Sequence, residues 1–289
     1  MLGVLAFSFT LPAVQLGEAG GWSALWLGPL RAVPAGLVAL ALLGLRRAGL
    51  PRRAELGRLG LVAAGVVFGF PYFSALALTR SSAAHAAVIV GLLPAATAVV
   101  ASLCAGERPP LRFWFAVLGG LGAILVFAAT SGAGRPGAGD LYALVAVALG
   151  GIGYAEGGML ARRLGGPVVI CWVLVLSLPI LLPFLGLVVA RHGPPPATEA
   201  GWTGFAYVSL VSMLLGFFAW YRGLAEGGIA RIGQLQLAQP VLTLLWSFLL
   251  LGERVSLGMV AAALAVLFFV VLTQRAGNNV LTQRARARA

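Results

Sequence analysis

The stretch 229–254 reads IARIGQLQLAQPVLTLLWSFLLLGER, an apolar run with Pro240 midway that closes on Gly252-Glu253-Arg254. The same signs stand 146 residues earlier, where Pro94 precedes Gly106-Glu107-Arg108, and Trp172 echoes Trp26 at that offset. One unbroken spacing relates points spread across most of the 289 residues, so the chain reads as two copies of one design. The matches lie in or beside long apolar runs, which makes the duplicated unit a membrane domain.

Composition agrees. Hydrophobic residues make up 60% of the chain and charged residues 10%, with a mean hydropathy of +0.98. Soluble domains carry about 25% charge. The net charge of +12 raises the question of nucleic acid, but the basic residues sit in short loops between apolar runs, where they orient a membrane protein. Nucleic-acid binding is therefore not expected. Cys104 and Cys171 are too few for a disulfide framework, and no cluster suggests a metal or cofactor. The N-terminal apolar run has no basic leader and reads as a short first span, not a signal peptide.

A helix needs about 17 to 25 apolar residues to cross a hydrocarbon core of about 30 Å. Ten runs qualify, at 2–17, 25–45, 57–79, 83–104, 112–130, 140–161, 167–190, 202–222, 229–251 and 255–274. With both termini cytoplasmic, fifteen arginines fall in cytoplasmic segments and four (Arg80, Arg135, Arg191, Arg254) fall outside. That bias sets the orientation. Five spans per copy is an odd number, so the second copy enters the membrane from the opposite side. The expected fold is an all-α integral membrane protein with ten helices as a 5+5 inverted repeat around a central cavity. Its segments are residues 1–138, 139–275 and a disordered basic cytoplasmic tail, 276–289. Inverted repeats of this kind place substrate near the midplane and expose it alternately to each side.

The 5+5 layout, the length, the paired prolines and the Gly-Glu-Arg closing spans four and nine resemble the drug/metabolite transporter superfamily, in its EamA-type ten-span branch. Within it, the chain is more similar to aromatic amino-acid exporters than to sugar-phosphate or nucleotide-sugar antiporters. The resemblance implies a basket-like bundle whose cavity is lined by spans 1, 3, 4, 6, 8 and 9, with spans 5 and 10 at the back. It also implies export of amino acids or related metabolites across the bacterial cytoplasmic (inner) membrane.

Polar groups inside a span are costly and ask for a reason. In span nine, Gln236, Gln239 and Thr243 share one helical face, which Ser247 continues. Pro240 lies in that row and frees a backbone carbonyl, and Pro94 does the same in span four. The row either lines the cavity or bonds neighbouring helices. Gln234 lies on another face and reads as structural. Tyr72, Tyr154, His85, Trp220 and Tyr221 are further cavity candidates, since aromatic faces bind apolar groups and cations. The alternative for Trp220 and Tyr221 is an interfacial belt, the role expected of Trp22, Trp26, Trp114 and Trp202. Arg31 either attracts a substrate carboxylate or, as expected, snorkels to the outer interface. Glu156 is a candidate for proton coupling, against an ion pair with Arg162 or Arg163. Glu107 and Glu253 read as helix-end contacts that support the fold.

The function expected is a secondary transporter, not an enzyme, that exports aromatic or neutral amino acids or related small metabolites by alternating access. No Walker A sequence and no nucleophile–base constellation is present. One alternative is a multidrug exporter of lipophilic cations. Another is a structural or lipid-handling membrane protein. The partners expected are the bilayer and a small-molecule substrate, with the chain acting as a monomer.

Overall fold

The computed structural model describes residues 1–81, 86, 89–107, 109–130, 137–196, 198–251, 257, 258, 260, 261, 264, 265, 267–269, 271 and 272. Of 120, 121, 123–130, 240, 244, 247, 250 and 251 it describes the backbone alone. Among the described residues every regular element is helical. The first half contains α1 (Leu2–Ser8), α2 (Thr10–Ala19), α3 (Ala24–Leu27), α4 (Ala32–Leu45), α5 (Arg53–Ala63), α6 (Phe70–Leu78), α7 (Leu93–Cys104) and α8 (Leu111–Thr130). There follow α9 (Ala138–Leu164), α10 (Gly166–His192), α11 (Glu199–Ala206), α12 (Phe217–Gly227), α13 (Ile229–Gly233) and α14 (Ala238–Leu251).

Several elements join into longer rods. Leu2–Ala19, Arg53–Leu78, Ala138–Leu164, Gly166–His192 and Glu199–Gly227 are each long and apolar enough to cross a membrane, and Pro29–Leu45 and Leu93–Cys104 are shorter apolar helices. Leu40, Leu103, Phe115, Leu141, Ile180, Leu187, Leu215 and Phe248 face outward around the bundle. Water would penalise so much exposed apolar surface, whereas lipid tails solvate it.

The breaks between elements have local causes. Pro12 has no N–H for the Ser8 carbonyl, so the first rod kinks at Phe9 between α1 and α2. Pro29 opens a 3-10 turn, Pro29–Arg31, that separates α3 from α4. A second 3-10 turn, Gln234–Leu237, separates α13 from α14. Between α5 and α6, Ala64–Gly69 winds as a π-helix just before Pro71 removes another ladder donor. Tyr207–Gly216, between α11 and α12, is also π-helical, and it contains the positions 146 residues beyond Ala64–Gly69. The spacing seen in the sequence thus recurs in backbone geometry.

At the centre stands α9, which packs against α5, the π segment, α6, α7, α10 and α12. Its glycines permit this. A Cβ on Gly65 would sit 2.5 Å from the Leu149 carbonyl oxygen and 2.9 Å from Gly153 Cα, so the rods cross backbone to backbone. The Tyr221 ring rests on Gly157 in the same manner. α10 lies along α4, α11 along α2, and α14 along α1 and α2. Phe269 packs on Gly119 of α8.

The two ends of the bundle close differently. At the arginine-rich end, Arg58 Nε meets Glu156 Oε2 at 2.9 Å, Arg163 approaches Glu55 at 3.5 Å, and Arg162 pairs with Glu107. Glu107 also accepts from the Ile229 and Ala230 amides, at 3.0 and 2.8 Å, so it ties the end of α7 to the start of α13. At the other end the Trp22 indole donates to the Pro196 carbonyl at 2.9 Å, and its ring stands 4.9 Å from those of Trp202 and Phe205. Thr198 Oγ1 donates to the Gly20 carbonyl at 2.8 Å. Trp22 is buried in this closure and is not the interfacial belt residue expected.

Candidate functional site

The candidate site is built where the kinked first rod, the broken helix Ile229–Leu251 and α9 meet. Gln236 and Gln239 bracket the end of the Gln234–Leu237 turn. With three residues per turn, side chains at i and i+3 eclipse, and Gln236 Nε2 donates to Gln239 Oε1 at 2.9 Å. The same Nε2 lies 3.4 Å from the Tyr154 hydroxyl on α9. Gln239 Nε2 donates to the Phe7 carbonyl at 3.3 Å, and Thr243 Oγ1 to the Ser8 carbonyl at 2.6 Å. The Ser8 carbonyl is available because Pro12 cannot occupy it. Trp246 Nε1 donates to Ser8 Oγ at 3.0 Å. Gln239 and Thr243 thus reach adjacent carbonyls of α1, with Gln236 bonded to Gln239; the Ser247 side chain lies outside the described residues.

Pro94 and Pro240 do not sit midway in unbroken spans. Each lies in the first turn of a helix that follows a break, where a missing N–H costs least. Gln234 Nε2 donates to the Pro94 carbonyl at 3.2 Å, which joins the two broken spans to each other.

Beside the network lies a cavity of about 20 Å³, lined by Thr10, Arg31, Tyr154, Ser212 and Gln239 with Phe7, Leu11, Val66, Phe70 and Phe217 as apolar walls. Ligand pockets measure about 300–1,000 Å³, so this cavity is too small to hold a ligand of that kind as it stands. Thr10 and Ser212 share a hydrogen bond of 2.8 Å across it. Phe7, Tyr154, Phe217 and Trp220 form an aromatic box, with Phe7–Phe217 at 5.0 Å, Tyr154–Trp220 at 5.5 Å and Tyr154–Phe217 at 5.7 Å. Trp220 and Tyr221 are buried, so neither is a belt residue. Tyr221 donates to the Gly153 carbonyl at 3.1 Å and supports the box from behind.

Arg31 departs most from expectation. It is 2% exposed, and its Nε and Nη1 are buried without a hydrogen-bond partner. The Pro29–Arg31 turn resets the helical phase between α3 and α4 and directs the guanidinium inward, so it does not snorkel. Glu156 is paired, but with Arg58 on α5 and not with Arg162 or Arg163, which bind Glu107 and Glu55. Its carboxylate thus faces α5 and not the cavity.

Tyr72 lies elsewhere. With Pro29, Phe68, Phe73, Ile180 and Phe184 it lines an outward-facing apolar groove of about 730 Å³. His85 and the second Gly-Glu-Arg fall outside the described residues, as does the tail. Thr10, Ser212, Phe7 and Phe217 were not expected at the site. Lone hydroxyls in apolar runs often bond their own helix, and phenylalanine is common there, so neither carries a distinctive signal.

The EamA-like transporter family model matches residues 1–129 and 137–275. An uncharacterized transporter, YdeK, of Bacillus subtilis (strain 168) is 45% identical over 276 residues, covering 95% of each chain. A probable terminal-alkyne amino-acid exporter of Streptantibioticus cattleyicolor is 26% identical over 282 residues, covering 95% of this chain and 92% of that one. The protein PecM of Dickeya dadantii is 26% identical over 254 residues, covering 85% and 81%. A protein of known crystal structure shares the fold, with a TM-score of 0.73 at 19% identity over 96% of each chain. Matched over both halves, and carrying apolar helices that suit a multi-pass protein of the bacterial inner membrane, the chain belongs to the EamA-like transporter family of the drug/metabolite transporter superfamily.

Proposed function

We propose that this transporter exports aromatic or neutral amino acids, or related small metabolites, from the cytoplasm by alternating access. The observation that carries the reading is the buried network of Gln236, Gln239, Thr243 and Tyr154 beside an aromatic box, at a break in the helix. Broken helices at a midplane present polar backbone and side chains to a ligand without a fixed charge. The amino-acid exporter among the relatives adds support.

The proposed frame is ten spans in two inverted halves, 1–138 and 139–275, working as a monomer with both ends in the cytoplasm. In it the arginine-rich end forms the inner closure and the tryptophan end the outer closure. Rocking of the halves would open either closure while the other holds. Gln236, Gln239, Thr243, Tyr154 and Trp220 are assigned to substrate, with Tyr221 behind them. No enzymatic step is assigned to the chain.

Export of lipophilic cations fits less well. That chemistry needs a free carboxylate in the path, whereas Glu156 is held by Arg58 and the cavity presents a cation, Arg31. The deciding experiment is reconstitution in liposomes, following labelled phenylalanine, leucine and a lipophilic cation with and without a pH gradient. Amino-acid flux is expected. Cation flux without amino-acid flux would overturn the reading. Glu156→Gln is expected to leave any gradient dependence intact, and loss of that dependence would restore Glu156 as a coupling group.

A further inference from the structure

Three side chains at this site, Arg31, Gln236 and Trp220, bury polar atoms without a hydrogen-bond partner, and the first two are of opposite kinds. Arg31 Nε and Nη1 are buried donors, and Gln236 Oε1 is a buried acceptor. Tyr154 stands between them: its hydroxyl lies 3.4 Å from Gln236 Nε2, and it shares the cavity wall with Arg31. Buried charge is tolerated when something compensates it, and an unpaired guanidinium in a membrane interior is the costly case. Among the described residues, none that lines this cavity is acidic. The hydroxyls of Thr10 and Ser212 and the Gln239 amide are neutral and bonded among themselves or to Phe7.

The unsatisfied groups of Arg31 and Gln236 together describe a ligand. A guanidinium presents a planar fork of donors that matches a carboxylate. Gln236 lies behind the cavity wall, bonded to Tyr154 and Gln239 of that wall, and its amide oxygen can accept from an ammonium once the cavity widens. The aromatic box of Phe7, Tyr154 and Phe217 faces the same space and suits an apolar side chain. We infer that Arg31 is the receptor for the substrate carboxylate and Gln236 Oε1 the acceptor for its ammonium, so the site is built for a zwitterionic α-amino acid. This rests on the export reading and adds the reason for selectivity: neither an amine nor an amide supplies the negative charge that would compensate Arg31. At about 20 Å³ the cavity must widen on loading, and Arg31, carried on a 3-10 turn between helix segments, can move with that widening.

The test uses the wild-type protein first. In proteoliposomes, unlabelled phenylalanine should compete with labelled phenylalanine at least 30-fold better than phenylalaninamide or phenethylamine, which lack the carboxylate. N-acetylphenylalanine, which lacks the ammonium, should compete at least 10-fold worse. Competition by the amide equal to that of the acid would overturn the role of Arg31 while leaving amino-acid export standing. In detergent, melting of the wild type should rise with phenylalanine or 3-phenylpropionate and not with phenylalaninamide. Arg31→Gln should lose that shift and lower transport at least 100-fold, and Arg31→Lys should recover some of both.

If no amino acid is transported but carboxylates still stabilise the wild type and not Arg31→Gln, the export reading fails and the anion site stands. If no carboxylate competes or stabilises, the inference falls. Should Arg31→Gln not fold, the wild-type competition decides alone.

Discussion

Two helices of this bundle share one plan and differ in what they bury. Leu93–Cys104 and Ala238–Leu251 each start after a break and carry a proline in the first turn. Thr97 and Thr243 occupy equivalent positions. Thr97 Oγ1 donates back to Leu93 of its own helix at 2.8 Å, whereas Thr243 Oγ1 reaches the Ser8 carbonyl on another rod at 2.6 Å. The difference originates in the partner. Ser8 has its carbonyl freed by Pro12, but the residue 146 positions on, Tyr154, belongs to a continuous helix in which Gly158 replaces the proline. Likewise Val90 and Leu93 stand where the other span has Gln236 and Gln239, and all four are buried. The apolar pair needs nothing further. The amide pair must find partners, because each unsatisfied buried group costs about 1–3 kcal/mol. One half thus buries an apolar pair where its copy buries an amide pair.

Erasing the difference should have the largest effect. The double change Gln236→Leu with Gln239→Leu makes the second span resemble the first. It should lower amino-acid flux in proteoliposomes at least ~100-fold, about 2.8 kcal/mol of lost recognition at 1.4 kcal/mol per tenfold, while melting stays level or rises. Unchanged flux would remove the assignment of this face to substrate. Pro12→Ala should act next. It returns an N–H to the Ser8 carbonyl, competes with Thr243, and straightens the first rod. Flux should fall roughly tenfold without loss of the folded protein, as judged by gel filtration and melting.

Glu107 tests the frame instead of the site. Glu107→Gln removes a charge that holds Arg162 and two amides of the other span. The carboxylate is partly exposed, so a cost of about 1–2 kcal/mol is expected in denaturant unfolding, with competition by phenylalanine unaltered. The smallest effect sharpens the comparison directly. Thr243→Val should cost about 0.6–1.7 kcal/mol, the range for hydrogen bonds between membrane helices. Thr97→Val should cost less, since its bond lies within one helix. Equal costs would show that the two threonines are not used differently.

Much of this was legible in the chain. The 146-residue echo is a repeated sequence, and the membrane class follows from apolar content. The Gln236, Gln239 and Thr243 row could be read because spacings of three and four bring side chains together in both 3-10 and α geometry. Arg31 could not be read that way. Its direction depends on a 3-10 turn that resets the phase between α3 and α4, so periodicity counted from either side misplaces it. Glu156 reads as a polar cost, but Arg58, 98 residues away, is its partner because Gly65 and Gly153 let the rods that carry α5 and α9 close together. Tyr72 and Tyr154 look alike in sequence, each deep in a span, and only helix rotation sends one to an outer groove and the other to the core.

By itself the sequence determined that the chain is a duplicated, helical, membrane-embedded protein with one polarised half, because hydropathy, repetition and helical spacing are local properties of the chain. Tertiary structure alone decided which polar groups are satisfied and which are left open. Hydrogen bonding across helices depends on contacts between residues far apart in sequence, and it is those contacts that leave Arg31 on the cavity wall and Gln236 Oε1 behind it without partners.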